Sequence, residues 1–552
     1  MPARGLGRVT LGLFATIGLC VPSQARASGF DAPQVGSAQS GPVVTDAAAV
    51  HYNPGQLGWI AQPELSLGGG VIAGAIGYQR DRRGAYQYED NLAFAEPIDP
   101  ADLDPSKTGR AQPVRAVPVG PTFDLFFAIP AIRDRLVLGG GVYVPYAAVL
   151  DLPPDGPQRF ALQSITLASV HSTVSAAVRL HDVVSIGAGV SYVASVLDLR
   201  KVQDFGALDV FSDGLAADPI RQRNDFGSSA PSTVRELDVL ARPIEVRGVS
   251  HSVSFNAGVS LRPTDALTLA LVYQHGSRLR FRGDFSLDMD DDFFTQDLAA
   301  QGLEYPPLVT GDAVVTMRLP KRLTLGAGYR FNRRFALDGF ASYAFYQDFR
   351  SVDIELEAPE LAQPALGVGT RVRQGLVRDW QGSVLVEANA RIDATDRLRV
   401  SVLLGYHSPA SPSSTIDMAS PDGHRIVTGA GLGYAFTPRF ALLGDVTIQA
   451  MVPRTVTESD YDLGNGEYRL LLANIALHAQ FRFGRAARGR TPNSQPDEER
   501  TLEPEHPAAD QPASPPAPAA PAPPPPVRPS PSPPPPPAPA SAPPPPPPPA
   551  AG

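Results

Sequence analysis

The chain has 552 residues, a net charge of −9, 19% charged residues, 50 glycines and 59 prolines. That balance excludes an ordinary helical enzyme, and the lack of any Lys/Arg-rich run or basic stripe excludes a nucleic-acid surface. Cys20 is the only cysteine, so no disulfide can staple the fold.

Residues 1–27 read as a secretory signal. Arg4 and Arg8 form its positive end, Val9 to Val21 its apolar core, and Ala25-Arg26-Ala27 an A-x-A cleavage site, so the mature chain is expected to begin at Ser28. Bulky Leu19 before Cys20 does not suit a lipoprotein site. No later segment has the run of apolar residues that a transmembrane helix needs. The next piece, 28–61, ends in "DAAAVHYNPGQLGWI", a helix-and-turn segment in a chain otherwise made of strands.

From residue 62 the sequence alternates. In "VSHSVSFNAGVSL" the odd positions carry Val249, Val253, Phe255, Ala257, Val259 and Leu261, and the even positions Ser, Asn and Gly. Such a segment is a strand with one apolar and one polar wall. Fourteen segments of this kind lie near 62–80, 118–130, 136–150, 160–180, 183–205, 247–263, 266–284, 311–331, 335–355, 380–392, 397–407, 424–436, 439–452 and 466–484. Tight turns ("AIRDR", "HDV", "PTDA", "NRR", "DATD", "TPR") alternate with longer loops throughout. These features predict an all-β transmembrane antiparallel barrel over 62–484, in the outer membrane, with tight turns and both termini in the periplasm. The recurring Gly-x-Gly pairs open no helix, so they relieve crowding on a curved wall and bind no nucleotide. From 485 to 552 the chain becomes polar and then almost wholly Pro, Ala and Ser. It is expected to be a disordered periplasmic tail, with a periplasmic partner or the cell wall as its candidate target.

A barrel of this size must be filled or it leaks, and 28–61 is the candidate plug. In this arrangement the sequence resembles the outer-membrane long-chain fatty acid and hydrophobic compound transporters, the FadL type. The resemblance spans about 28 to 484. It is carried by Asn53-Pro54-Gly55-Gln56-Leu57, where the family has Asn-Pro-Ala-x-Leu, and in order by "RLVLGGGVYVPYAAVLDLP", "LRFRGDF", "MRLPKRLTLGAGYRF", "YHSPASP" and "PDGHRIVTGAGLGYAF". It implies an N-terminal hatch (Asp46, Asn53, Pro54, Gly55 and Leu57) inside the lumen. It also implies an inward kink of strand three at Pro145, Tyr146 and Ala147, through which a ligand leaves sideways after the hatch moves.

No covalent chemistry is required for such transport, and no metal or cofactor is expected. The chain has no G-x-S-x-G, H-E-x-x-H or C-x-x-C, and His251, His275 and His478 stand on separate strands without a matching motif. The acidic run "DMDDDFF" lacks EF-hand spacing and reads as a solvated loop. Parity along strand seven places Arg278, Arg280 and Arg282 inward or at the mouth, where they could attract carboxylates or pair with loop acids. Parity also puts Lys201 and Arg350 on the lumenal side, and the resemblance puts Phe30 inside the barrel. The expected ligand is a long-chain fatty acid or related hydrophobic compound, with outer-membrane lipid and lipopolysaccharide around the wall. Uptake of aromatic hydrocarbons is the alternative, as is a closed structural or adhesin-like barrel acting through its loops and tail.

Overall fold

The computed structural model describes residues 26–31, 35–82, 109–204, 241–297, 299, 303–364, 368–459 and 462–484. The expected signal segment before residue 26, residues 83–108 and 205–240 where long loops are expected, and the Pro-rich segment after 484 lie outside them.

Fourteen antiparallel strands form the wall. They are β1 (Glu64–Arg82), β2 (Val119–Ile132), β3 (Leu136–Asp151), β4 (Ser164–His181), β5 (Val184–Asp204), β6 (Ala241–Leu261), β7 (Leu267–Gln274 and Arg278–Asp288), β8 (Leu308–Arg318 and Arg322–Arg330), β9 (Phe335–Ala344 and Ser351–Glu357), β10 (Arg371–Val377 and Ser383–Asp393), β11 (Leu398–His407), β12 (Arg425–Thr437), β13 (Phe440–Met451) and β14 (Gly466–Arg482). Each pairs with its neighbour, and β14 closes on β1 from Glu64–Arg482 to Arg80–Gly466. Closure leaves no free edge at the β1–β14 seam for lipid to meet.

Side-chain alternation fixes which wall faces lipid. Val174, Val253, Leu404 and Ile475 are exposed on the outer face, and the opposite register of each strand carries the buried residues. The apolar band ends in aromatic residues at both interfaces, as such barrels require. On the periplasmic side Tyr329, Phe331 and Phe335 cluster, as do Tyr434, Phe436, Phe440 and Phe481. On the external side tyrosines pair with histidines: Tyr192 with His251 (2.6 Å), Tyr273 with His275 (2.9 Å) and Tyr406 with His424 (2.6 Å). Amphipathic rings are stable at that depth because one end is dry and the other wet. β5 and β6, at 21 residues each, far exceed what the band needs, so they project beyond it.

Four of the six tight periplasmic turns share one chemistry. Thr264, Thr395 and Thr437 each accept, through the side-chain oxygen, hydrogen bonds from the backbone N–H groups two and three residues on, at 3.0 to 3.3 Å. Asn332 does the same at 2.8 and 2.9 Å. These side chains satisfy donors that the end of the ladder leaves free.

Four strands are interrupted, three of them (β7, β8 and β9) where uninterrupted alternation was expected. β7 breaks at 275–277, β8 at 319–321, β9 at 345–350 and β10 at 378–382. The breaks lie side by side, joined by Leu319 N–H to Ser277 O (2.8 Å), Phe345 N–H to Lys321 O (2.8 Å) and Arg378 N–H to Arg350 O (2.7 Å). Pro320, which has no N–H, and the 3₁₀ turn Tyr346–Asp348 account for two of them. Beyond the breaks the outer halves of β7 to β10 continue as an upper tier, so 371–377 is strand where a long loop was expected.

Replacing Thr264, Thr395 and Thr437 together by Val removes six hydrogen bonds. At about 1 kcal/mol lost per turn, the unfolding midpoint of the purified barrel, followed by its heat-modifiable gel shift, is expected to fall clearly while the folded form still assembles.

Candidate functional site

The segment Val35–Ile60 is packed inside the barrel. Val35, Ala47, Ala48, Ala49, Val50, Leu57 and Ile60 form one buried cluster with the inward-facing Phe126, Ala128, Val137, Tyr143 and Ala177 of β2 to β4. Ala49–Tyr52 is a single turn of α-helix (α1), followed by a 3₁₀ turn over Pro54–Trp59. The join explains the Asn-Pro-Gly-x-Leu motif. The Asn53 side chain accepts from Gly55 N–H (3.0 Å), capping the 3₁₀ turn, and donates to Pro42 O (2.9 Å) and to Val259 O of β6 (3.3 Å). Pro54 starts the turn, where a missing N–H costs nothing. A Cβ on Gly55 would stand 2.8 Å from the Gly258 carbonyl oxygen, so glycine lets the plug touch the wall. Gly187 and Gly258 give the matching room on β5 and β6, where added side chains would run into Pro54 and Asn53.

Wall side chains hold the plug by its backbone. Asn256 and Gln274 donate to the carbonyls of Val50 (2.8 Å) and His51 (2.9 Å), near the end of α1. Asp445 accepts from Ala38 N–H (2.9 Å) and Asp124 from Gly36 N–H (3.2 Å), while His478 lies between the two carboxylates at 3.4 and 3.1 Å. Glu64 accepts from Ala47 N–H (2.9 Å) and pairs with Arg482 (3.1 Å). At the periplasmic end Trp59 is stacked against Arg179 and Arg262, 4.7 and 4.5 Å from the ring centre, and donates to the Ser260 hydroxyl (2.8 Å).

Above the plug lies a cavity of about 150 Å³. Its floor is His51 and Tyr52, and its walls include Tyr143, Tyr146 and His171 on one side and Phe340, Arg322, Glu387, His407 and Arg425 on the other. Tyr143 continues into a hydrogen-bonded chain through Thr173 (3.0 Å) to Ser191 (2.7 Å), and His407 pairs with Glu387 (2.9 Å). Burial, reinforced by His171 and Arg322, lowers the His51 pKa to about 3, so it lines the cavity as a neutral ring. The external mouth is filled by a large apolar cluster, in which Phe281 and Phe285 of β7, Leu197 of β5 and Ile354 of β9 pack with Met289, Phe294, Trp380 and Ile416. The cavity therefore sits between the plug and an apolar cap.

The wall is interrupted beside this cavity. The β3–β4 register shifts by one residue between Tyr143–His171 and Tyr146–Ser169, placing an extra residue at the Val144–Pro145 step. On its other edge β3 pairs with β2 only as far as Asp124–Tyr143. Beyond that point a leader strand, Arg26–Asp31, pairs with β3 at Ala148 and Tyr146. Pro145 and Tyr146 thus mark a real break in the ladder.

The sequence of residues 18–481 matches the family described as outer membrane protein transport protein (OMPP1/FadL/TodX). The chain belongs to this family. Its members are outer-membrane transporters of hydrophobic compounds, passive channels and not enzymes. No curated protein matches in sequence. Among solved structures, a Pseudomonas aeruginosa FadL homologue is similar at a TM-score of 0.63 and 19% identity, covering 84% of this chain and 99% of that one. The Ralstonia pickettii toluene transporter TbuX is similar at 0.53 and 14%, covering 81% and 97%. The P. putida toluene transporter TodX is similar at 0.53 and 15%, covering 81% and 96%.

The residues singled out from sequence fare differently. Asp46, Asn53, Pro54, Gly55 and Leu57 all lie buried in the transporter's plug, and Pro145 and Tyr146 line the cavity. Ala147 lies at the bulge, paired with Ala168 of β4. The backbone of Phe30 lies in the leader strand, and its side chain is outside the described residues. Lys201 faces inward and is buried, at the external end of β5 and away from the cavity. Arg278, Arg280 and Arg282 correct the expectation of an inward register. They are exposed on the outer wall, with Leu279 and Phe281 pointing in, because the break at 275–277 reverses the parity of β7. Arg350 is likewise exposed, because it lies in the irregular step 345–350, outside both halves of β9, whose even positions face inward on either side of it. His51, Tyr143, His171, Arg322, Glu387, His407 and Arg425 were missed. Their signal was polar side chains in the lumenal register at one height, visible only once the strands are aligned from their turns.

Asp46 gives the plug a pH dependence. Burial, then the nearby Glu64 carboxylate, raises its pKa to about 6, against a lowering hydrogen bond from Ser40 (2.6 Å). Docking therefore takes up a proton between the ordinary value of 3.8 and about 6. The docked plug is favoured at and below that window and loosens as pH rises through 6. Hydrogen exchange of residues 46–60 is expected to speed up from pH 5 to 7 beyond the intrinsic chemical rate, and Asp46→Asn is expected to abolish that excess.

Proposed function

We propose that this transporter carries compact, single-ring hydrophobic compounds, which leave sideways at the β2–β3 break after the plug and leader strand move. The cavity volume is the observation that carries this reading. A space of about 150 Å³ matches the size of cavity that holds one benzene ring. Tyr146 and Pro145 belong both to that cavity and to the interrupted wall, so a ligand seated there is already beside the exit. Burial of a ring supplies binding without any charge, and the apolar cap supplies an entry surface of the same character. The polar members of the lining, neutral His51 and the Tyr143 hydroxyl among them, favour rings that carry a hydrogen-bonding substituent.

A second reading, long-chain fatty acids, draws on Arg322 and Arg425 at the cavity wall, since guanidinium groups bind carboxylates well. It requires the cavity to lengthen into the space now filled by the cap or the leader strand.

Uptake by cells lacking their own outer-membrane transporters separates the two. Expression of the intact chain is expected to raise uptake of a labelled monoaromatic compound several-fold and to change labelled long-chain fatty acid uptake little. Gly258→Val, which pushes the plug off β6, and Tyr146→Trp, which fills the exit, are each expected to lower that uptake at equal surface amounts. Uptake of fatty acid alone, lost on Arg322→Gln, would reverse the assignment.

A further inference from the structure

The outer wall of the upper tier carries a basic patch that transport through the lumen does not use. Arg278, Arg280 and Arg282 on β7 and Arg318 on β8 all take the outward register and are exposed. Their orientation is fixed on both sides. Arg282 pairs across the sheet with Val249, a residue of the lipid face that is 52% exposed. The intervening Leu279 and Phe281 are buried in the lumenal core.

Arg278 stands directly opposite Arg318, a like-charged pair that destabilises a sheet unless something neutralises it. Among the described residues, no carboxylate lies within ion-pair distance of any of the four. The nearby acids are otherwise engaged. Asp348 takes Lys321 (2.7 Å), Glu355 takes Arg371 (3.1 Å) and Arg373 (3.4 Å), and Asp198 takes Arg247 (3.2 Å). Asp284 and Asp312, the cross-strand pair next above Arg282 on the same face, make no ion pair with it.

Height decides what the patch meets. Measured on β6, Arg282 meets Val249, six residues or roughly 20 Å beyond the Phe255 ring that stacks on His275 of the external aromatic girdle, and Arg278 stands roughly 7 Å beyond it. The four guanidinium groups therefore begin where hydrocarbon ends and lipid head groups start. Arginine's planar fork suits phosphate oxygens, and neighbouring arginines two residues apart or directly opposite can grip one phosphate from two sides.

We propose that this patch is a binding site for a phosphate-bearing lipid of the outer leaflet, seated on β7–β8 with its head group against Arg278, Arg280, Arg282 and Arg318. The lipid supplies the missing counter-charge and holds this side of the barrel at a fixed height.

The purified full chain in neutral detergent, titrated with lipopolysaccharide and followed by native mass spectrometry, tests this. The intact protein is expected to retain the lipid. The quadruple Gln variant of the four arginines is expected to bind it at least tenfold more weakly, and the quadruple Lys variant between the two. Arg371→Gln, which disturbs only a paired arginine, is expected to bind as the intact protein does. Equal retention by the quadruple Gln variant, or equal binding of lipopolysaccharide stripped of phosphate by phosphatase, would overturn the proposal. So would saturation of the same arginines by inorganic phosphate alone at the same concentration. If the quadruple variant does not give the heat-modifiable folded form, the pair Arg278→Gln and Arg318→Gln carries the test, with a threefold or larger loss expected.

Discussion

Hydrocarbon offers no hydrogen bonds, so every backbone N–H and C=O in the wall must be paired within it. The β1–β14 pairing, unbroken from Glu64–Arg482 to Arg80–Gly466, meets that demand by turning a sheet into a closed wall. Closure then creates a second demand. A ring of fourteen strands encloses more space than its inward side chains can fill, so the chain has to close its own lumen. It does so twice, with an N-terminal plug held by hydrogen bonds and an apolar cap at the external mouth. The ligand cavity is the remainder between them. Its small size reflects how tightly both closures pack.

The two closures differ in kind, and the difference suits a passive carrier. The cap is a large cluster of aliphatic and aromatic residues, held by non-directional burial, which tolerates rearrangement. The plug is held by directed contacts to its backbone, from Asp124, Asp445, Asn256, Gln274 and Glu64. Glycines at positions 55, 187 and 258 bring plug and wall into contact at the Asn53–Pro54 step. Directed contacts give one docked geometry, and each break costs a hydrogen bond, so the plug is fixed in place where the cap is held by contacts that tolerate repacking.

Much of the fold was legible in the sequence because the wall obeys a period of two. Long alternating runs such as 249–261, separated in turn by tight turns and long loops, located all fourteen strands to within a few residues or a partial segment. The plug motif was legible because Asn53, Pro54 and Gly55 each perform a local task that few other residues can. What failed was parity carried across irregular backbone. One uncounted break at 275–277 turned Arg278 and Arg280 from lumen to exterior, and the irregular step at 345–350 left Arg350 outside the strand it was counted on. The cavity was illegible for another reason. His51, His171 and His407 stand far apart in the chain, and only the strand register and the docking of the plug set them around one cavity.

The leader strand overlaps the expected signal cleavage site. It pairs with β3 through Arg26 and Asp31, opposite Ala148 and Tyr146, whereas cleavage after Ala27 would leave the chain starting at Ser28. The cut would remove the rung at Arg26 and put a free ammonium group into what remains of the strand. Precursor and mature protein would then differ beside the β2–β3 break. The protease that releases the chain would thereby also set the length of the strand laid against the free edge of β3.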